Sequence, residues 1–170
     1  MFHDCKFLAD RLHLRLIGLL FSIRRMLNID RKLLGEISKH ASEDYPHECC
    51  GVLLGSRDQN TRLVQQLVRC RNVHPETTTR YAIAPDELIS IQRDARDLQL
   101  EIVGFYHSHP DHPATCSTTD LEEAYWSGCS YLILSVERNV VSGTRSYVLD
   151  ISGEHRALIE EPVTHPEHRP

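Results

Sequence analysis

Residues 101–136 read EIVGFYHSHPDHPATCSTTDLEEAYWSGCSYLILSV. The first seven, Glu101 to His107, are rich in β-branched and aromatic residues and predict a strand. A proline-bearing loop is expected from His109 to Cys116, with Pro110 stopping the strand and turning the chain. Ser117 then opens a helix predicted to reach about Trp126. Tyr131 to Val136 is an unbroken apolar run, the mark of a buried strand. Strand, helix and strand in succession point to an α/β domain in which helices cover a sheet.

The flanks repeat this alternation. Leu33, Leu34, Ile37 and Ala41 fall at helical spacing behind a candidate N-cap, Asp30. Tyr45-Pro46 ends that helix, because the residue before proline avoids helical backbone. Cys50 to Gly55 (CGVLLG) reads as a buried strand that pairs with Leu63 to Val68 across a turn at Ser56 to Asn60. Tyr81 to Ala84 reads as a short strand. Pro85 opens a helix predicted to run to about Leu100, with Leu88, Ile89, Ile91, Ala95 and Leu98 at helical intervals. Ser146 to Ile151 is a further strand, and residues 161–170, rich in proline and histidine, are expected to fray. The expected fold is a single-domain, three-layer-like α/β sandwich around one mixed β-sheet, over residues 29–160.

Residues 1–28 stand apart. They carry five basic and two acidic side chains, a net of +3 in a chain whose total is −5. Leu8, Leu12, Leu16, Leu20 and Ile23 form one helical stripe. One reading is a short basic amphipathic helix that docks on the domain, a partner or a membrane surface. The other places the true start at Met26. The longest unbroken apolar run there, Leu16 to Phe21, is far short of the roughly 20 residues of a membrane span. A small-residue cleavage site is also lacking, which argues against a signal peptide.

Bulk properties narrow the function. The chain has 170 residues, enough for one domain with a core of its own. The acidic balance argues against nucleic acid as a general partner. Cys5, Cys49, Cys50, Cys70, Cys116 and Cys129 make no C-x-x-C pair, and adjacent Cys49 and Cys50 suit a disulfide framework poorly. Reduced thiols in a cytoplasmic protein are the expectation. The oligomeric state stays open between a monomer and a homodimer.

The chemistry lies in His107-Ser108-His109-Pro110, six residues, then Ser117-Thr118-Thr119-Asp120. Side chains two apart on a strand point to the same face, so both imidazoles can converge on one ion. Asp120, on the first turn of the following helix, can face the end of that strand. Two imidazoles and a carboxylate make a three-ligand zinc site with one position left for water. Taken singly, each half has a plainer reading. His-x-His arises by chance among eleven histidines, and Ser-x-x-Asp resembles a helix cap. It is the joint pattern, on strand end, loop and helix start, that favours metal.

H-x-H-P followed after six residues by S-x-x-D resembles the signature of the JAMM (MPN-plus, JAB-domain) metalloproteases. The family also carries an upstream glutamate on its first strand, usually just before a Cys-Gly pair. Pro46-His47-Glu48-Cys49-Cys50-Gly51-Val52-Leu53-Leu54-Gly55 is similar to that element. The resemblance runs from about Ile29 to Ile151 and implies a cytidine-deaminase-like sandwich. It implies one zinc ion on His107, His109 and Asp120, Glu48 as general base, and Ser117 as donor to the developing oxyanion. Cys116 stands where proline is common. A thermolysin-type H-E-x-x-H is absent, since Gly51 replaces the second histidine. His112 and Cys116 are read as passive loop residues.

The small bacterial members that this chain resembles cut at the C-terminal Gly-Gly of ubiquitin-like sulfur-carrier proteins. The implied function is therefore a zinc metallopeptidase or isopeptidase acting on such a carrier, for example releasing cysteine for sulfur metabolism. A carrier tail is expected to lie extended beside a strand of the sheet. The alternatives are a general deubiquitinase-like isopeptidase and a non-catalytic MPN scaffold.

Overall fold

The computed structural model of the chain describes residues 25–151 and 156–166. Its elements are β1 (Met26–Ile29), α1 (Arg31–Asp44), β2 (Cys50–Arg57), β3 (Thr61–Cys70), α2 (Pro85–Asp97), β4 (Glu101–Pro110), α3 (Thr118–Glu123), β5 (Ser130–Glu137), β6 (Val140–Asp150), β7 (Ala157–Glu161) and β8 (Val163–Thr164). The strands form one mixed sheet in the order β7-β6-β5-β4-β2-β3-β1-β8. β4 lies between antiparallel β2 and parallel β5.

Two apolar clusters fill the two faces. Ile37 and Ala41 of α1 pack with Leu53, Val103, Tyr106, Leu132 and Leu134. Ile91 and Ala95 of α2, with Leu121 and Ala124 around α3, pack with Val52, Phe105, Tyr131 and Ile133. Successive strand residues alternate between these clusters, as the pleat requires. The α/β fold with helices on both faces of a mixed sheet is thus the one expected. Among the described residues no helix is long and apolar enough to cross a membrane. The helical stripe from Leu8 to Ile23 lies outside the described residues.

The start of α1 is as expected: the Asp30 carboxylate accepts from the Lys32 N–H at 2.7 Å, and the helix ends ahead of Tyr45-Pro46. Several boundaries differ. α2 stops at Asp97 instead of Leu100. Gln99 takes a left-handed φ of 58°, and the Leu100 N–H bonds back to the Ala95 carbonyl, a Schellman-type ending without its usual glycine. α3 stops at Glu123 instead of Trp126. Arg156 claims the Leu121 and Ala124 carbonyls, and Trp126 turns in to meet Phe105 at 5.5 Å. Tyr81–Ala84 joins no sheet, because the Ala82 N–H is spent on the Asn72 side chain. β4 runs past His107 to end at Pro110, which pairs with Val136, and the Asp111 N–H donates to the Val136 carbonyl. The hairpin at Arg138-Asn139, with φ of 50° and 65°, joins β5 to β6 through two left-handed residues.

The ends of the domain also differ. Met26–Ile29, whose first three residues fall in the N-terminal extension by sequence, is a strand parallel to β3. Val163–Thr164, placed in the frayed tail, pairs with β1. One residue, Pro162, separates β7 from β8, yet these are opposite edges of the sheet. Seven strand spacings of about 4.8 Å would part the edges of a flat sheet by about 34 Å. The sheet must therefore curl until its edges meet at that end. Arg62 crosses the seam, its Nη1 donating to Glu161 Oε2 at 3.2 Å while the Ser130 and Ser146 hydroxyls donate to Oε1.

Candidate metal centre

Register builds the site. Cys50 pairs with His107, and the antiparallel ladder continues past it. The Cys49 N–H donates to Ser108 Oγ at 2.9 Å, and the Ser108 N–H donates to the Cys49 carbonyl at 3.2 Å. Continuing that register sets Glu48 opposite His109. Opposite residues share a face, so Glu48, Cys50, His107 and His109 all point to the side covered by α2 and α3. α3 brings Asp120 to the same place.

The structure brings three of the residues picked from sequence into one cluster. The donor atoms of His107, His109 and Asp120 all lie within 4.8 Å of one another. His107 Nε2 is 3.0 Å from Asp120 Oδ1 and 3.0 Å from His109 Nε2, and His109 Nε2 is 3.5 Å from Asp120 Oδ2. Zinc bonds of about 2.0–2.2 Å at tetrahedral angles put donors about 3.3–3.5 Å apart, so this spacing suits a small cation. The ligand chemistry fits as well. His109 Nδ1 lies 2.9 Å from the Pro113 carbonyl, which can only accept. Nδ1 therefore carries the hydrogen, and a neutral His109 turns its Nε2 lone pair to the centre of the cluster.

Electrostatics agree with a centre that wants positive charge. Burial acts to raise the Asp120 pKa, but bonds from His107, His109 and the Ser117 N–H outweigh it and hold the carboxyl well below the usual range. Burial pushes the His107 pKa down. Burial acts the same way on His109, but Asp120 and the Pro113 carbonyl prevail and its pKa is raised. Glu48 is 5% exposed, and burial pushes its carboxyl up to about 8, with His109 pulling the other way. No described residue hydrogen-bonds that carboxyl. It stands beside the cluster, in a groove lined also by His47, Asn72 and Thr77.

Ser117 sits at the N-cap of α3. Its Oγ accepts from the Asp120 N–H at 3.1 Å, and Asp120 Oδ2 accepts from the Ser117 N–H at 2.6 Å, a capping box. The capping reading and the metal reading of Ser-x-x-Asp therefore coexist in one carboxylate. The Ser117 hydroxyl is left with its hydrogen to donate. His112 is exposed and lies outside the converging set, and its carbonyl accepts from Ser135 Oγ. The half-buried Cys116 thiol, raised by burial, is outside the converging set. The described cysteines are free, and Cys49, Cys50, Cys70 and Cys129 are buried.

Four further contacts frame the site. The Tyr81 ring stacks on His107 at 4.5 Å. Arg80 pairs with Glu123 of α3. Asn72 and Thr77 hold the backbone of Glu48. These come from residues 72–81, a stretch without regular elements. Asn72 is a turn former ahead of a proline-bearing segment, which marks a turn and not a site.

The family described as prokaryotic homologs of the JAB domain matches residues 30–150. The chain is 39% identical over 103 residues to a protein of Haloferax volcanii named desampylase, covering 61% of this chain and 73% of that one. It is 31% identical over 134 residues to a Thermus thermophilus protein named "Probable TtuB-protein conjugate cleaving protease", covering 79% and 82%. A solution structure of a Desulfitobacterium hafniense protein superposes with a TM-score of 0.72 at 28% identity, over 84% of this chain and 94% of that one.

Proposed function

The chain belongs to the family of prokaryotic JAB-domain proteins and is a hydrolase of it, and on that premise we propose that it cuts the amide bond made by the C-terminal Gly-Gly of a ubiquitin-like sulfur-carrier protein. The observation that carries the reading is the convergence of His107, His109 and Asp120 beside the buried, unpartnered Glu48. Such a set suits hydrolysis better than a structural metal, because only three protein donors converge.

His107, His109 and Asp120 would hold one zinc ion. Bound there, zinc would polarise the scissile carbonyl and lower the pKa of water from about 15.7 toward about 7. Glu48 takes the proton the attacking water gives up and passes it to the leaving nitrogen. Burial suits Glu48 to this exchange, since a carboxyl pushed up to about 8 holds and releases a proton near neutral pH. Ser117 donates its hydroxyl hydrogen to the carbonyl oxygen as charge builds there. Asp44 lines the groove beside Glu48, and Asp111 accepts from the hydroxyl of Tyr45, another lining residue, at 2.9 Å; both would place negative charge near an incoming amine.

β4 is paired on both sides, so a carrier tail cannot add to it directly. In the stretch Tyr81–Ala84, outside the sheet and beside His107, Ala82 spends its N–H on Asn72 and its carbonyl on Val73, which leaves Tyr81 and Ile83 as the backbone offered to such a tail. A second reading, cleavage of a carrier from protein lysines, is favoured by the names of the two relatives. Zinc-loaded protein incubated with a carrier–cysteine adduct and with a carrier–lysine isopeptide separates the two. Glu48→Gln should keep zinc and lose most of its turnover on whichever is cut, and Asp120→Ala should lose zinc. Failure to cut either adduct would sink the substrate reading. A protein without stoichiometric zinc when purified free of chelator would favour a scaffold.

A further inference from the structure

We propose that Asn72 is a positioning residue that fixes Glu48 against the metal cluster, an inference that rests on Glu48 being the base. Glu48 is buried, but its carboxyl has no hydrogen-bond partner among the described residues. Its place is therefore set by its main chain and by packing. Both polar groups of that main chain are held by residues 72–77. The Glu48 N–H donates to the Thr77 carbonyl at 2.7 Å, and the Glu48 carbonyl accepts from Asn72 Nδ2 at 3.0 Å.

The same amide closes the neck of the loop. Asn72 Nδ2 also donates to the Arg80 carbonyl at 3.0 Å. Oδ1 accepts from the His74 N–H at 3.0 Å and from the Ala82 N–H at 3.1 Å. Two carbonyls face the nitrogen and two N–H groups face the oxygen, so only one orientation of the amide satisfies the set, and it uses all four bonds. The residue after Arg80 is Tyr81, whose ring stacks on His107, and Arg80 itself pairs with Glu123 of the helix that carries Asp120. One side chain thus ties the backbone of the base to the residues that brace two of the metal-binding side chains. No aspartate, glutamine or alanine can reproduce that pattern. Aspartate would face two carbonyl oxygens with a third oxygen, glutamine is longer by a methylene, and alanine makes none of the bonds.

The test uses the full-length zinc protein and the carrier adduct that it cuts. Asn72→Asp and Asn72→Ala are each assayed alone and combined with Glu48→Gln, with zinc content, melting temperature, kcat and KM measured for all. Asn72→Ala guards against misfolding of the charged variant. The expected result is full zinc occupancy, KM within about twofold and kcat lower by roughly 10–100-fold, the range seen for partners behind a metal site. In the Glu48→Gln background the same change should move kcat by less than about twofold, because its effect passes through Glu48. Additive loss on top of an impaired Glu48→Gln enzyme would overturn the role given to Asn72 and leave the base intact. So would loss of zinc, or a rise in KM at constant kcat. A fully active Glu48→Gln enzyme would overturn the base reading, and this proposal with it.

Discussion

Glu48 should make the metal-free protein less stable as pH rises. Its carboxyl is 5% exposed, and burial pushes it from an ordinary 4.5 up to about 8. A carboxyl whose folded pKa is raised binds more protons folded than unfolded between those two values. Each pH unit in that window then costs about 1.4 kcal/mol of folding stability. The penalty is absent below about pH 4.5, grows through neutrality and levels off above about pH 8. From pH 6 to pH 8 it amounts to roughly 2–3 kcal/mol. Glutamine has nearly the shape of the protonated acid and does not ionise, so Glu48→Gln should abolish this slope.

The assay is urea unfolding of chelator-treated wild type and Glu48→Gln at pH 5, 6, 7 and 8. The two should be close in stability at pH 5, and the variant should be ahead by a few kcal/mol at pH 8. Titration of His109 is common to both proteins and cancels to first order in the difference. Saturating zinc should shrink the gap, because a cation near Glu48 favours its ionised form. A difference between the proteins that stays flat from pH 5 to pH 8 would refute the reasoning, for it would mean that Glu48 ionises as freely folded as unfolded.

Three further perturbations follow from the same structure. Arg62→Met strands the Glu161 carboxylate, whose side chain is 1% exposed, and should cost about 3–5 kcal/mol by denaturant unfolding, with Glu161→Leu added to it restoring part of the loss; a single variant within about 1 kcal/mol of wild type would show the seam to be solvated. Ser117→Ala should lower melting stability by about 0.5–2 kcal/mol through the lost cap and kcat by roughly 10²–10³-fold through the lost donor, while unchanged kcat would leave Ser117 a cap alone. Gly104→Ala sets a Cβ 2.6 Å from the Ser130 carbonyl and must part β4 from β5, costing about 1–3 kcal/mol, whereas Gly35→Ala, with nothing within 4 Å, should gain about 0.5–1 kcal/mol; thermal unfolding that ranks the two the other way would contradict both.

How much of this was legible in the sequence follows from how local each signal is. The central strands and the starts of α1 and α2 were read correctly, because apolar runs and caps act within a few residues. The helix ends were not, because Gln99 does without glycine at its left-handed turn and Arg156 captures the end of α3 from more than thirty residues away. β1, β7 and β8 were missed for a related reason. Met26–Ile29 has four residues and Val163–Thr164 two, and each becomes a strand only because a neighbour pairs with it. At the site, the spacing of His107, His109 and Asp120 survived translation into geometry, since strand and helix periods fix where such side chains point. Asn72 and Tyr81 did not announce themselves, because their partners lie 24 and 26 residues away.

The mixed character of the sheet has a chemical consequence. β4 and β5 are parallel, so the chain between them must cross one face, and it delivers α3 there. Leu121 and Ala124 pack on the face to which His107 and His109 point, which brings Asp120 over the end of β4. An antiparallel neighbour in place of β5 would need only a short turn and would bring no helix to that end. β2 on the other side must be antiparallel for the opposite reason. Only then does the residue entering the strand, Glu48, lie beside the residues leaving β4, with Cys50 across from His107 and Glu48 across from His109. A parallel β2 would place its entry at the far end of β4, about seven residues or some 23 Å from the metal cluster. Glu48 and the His107–His109–Asp120 cluster therefore meet because β4 has one parallel and one antiparallel partner, and no insertion or long loop is needed to bring them together.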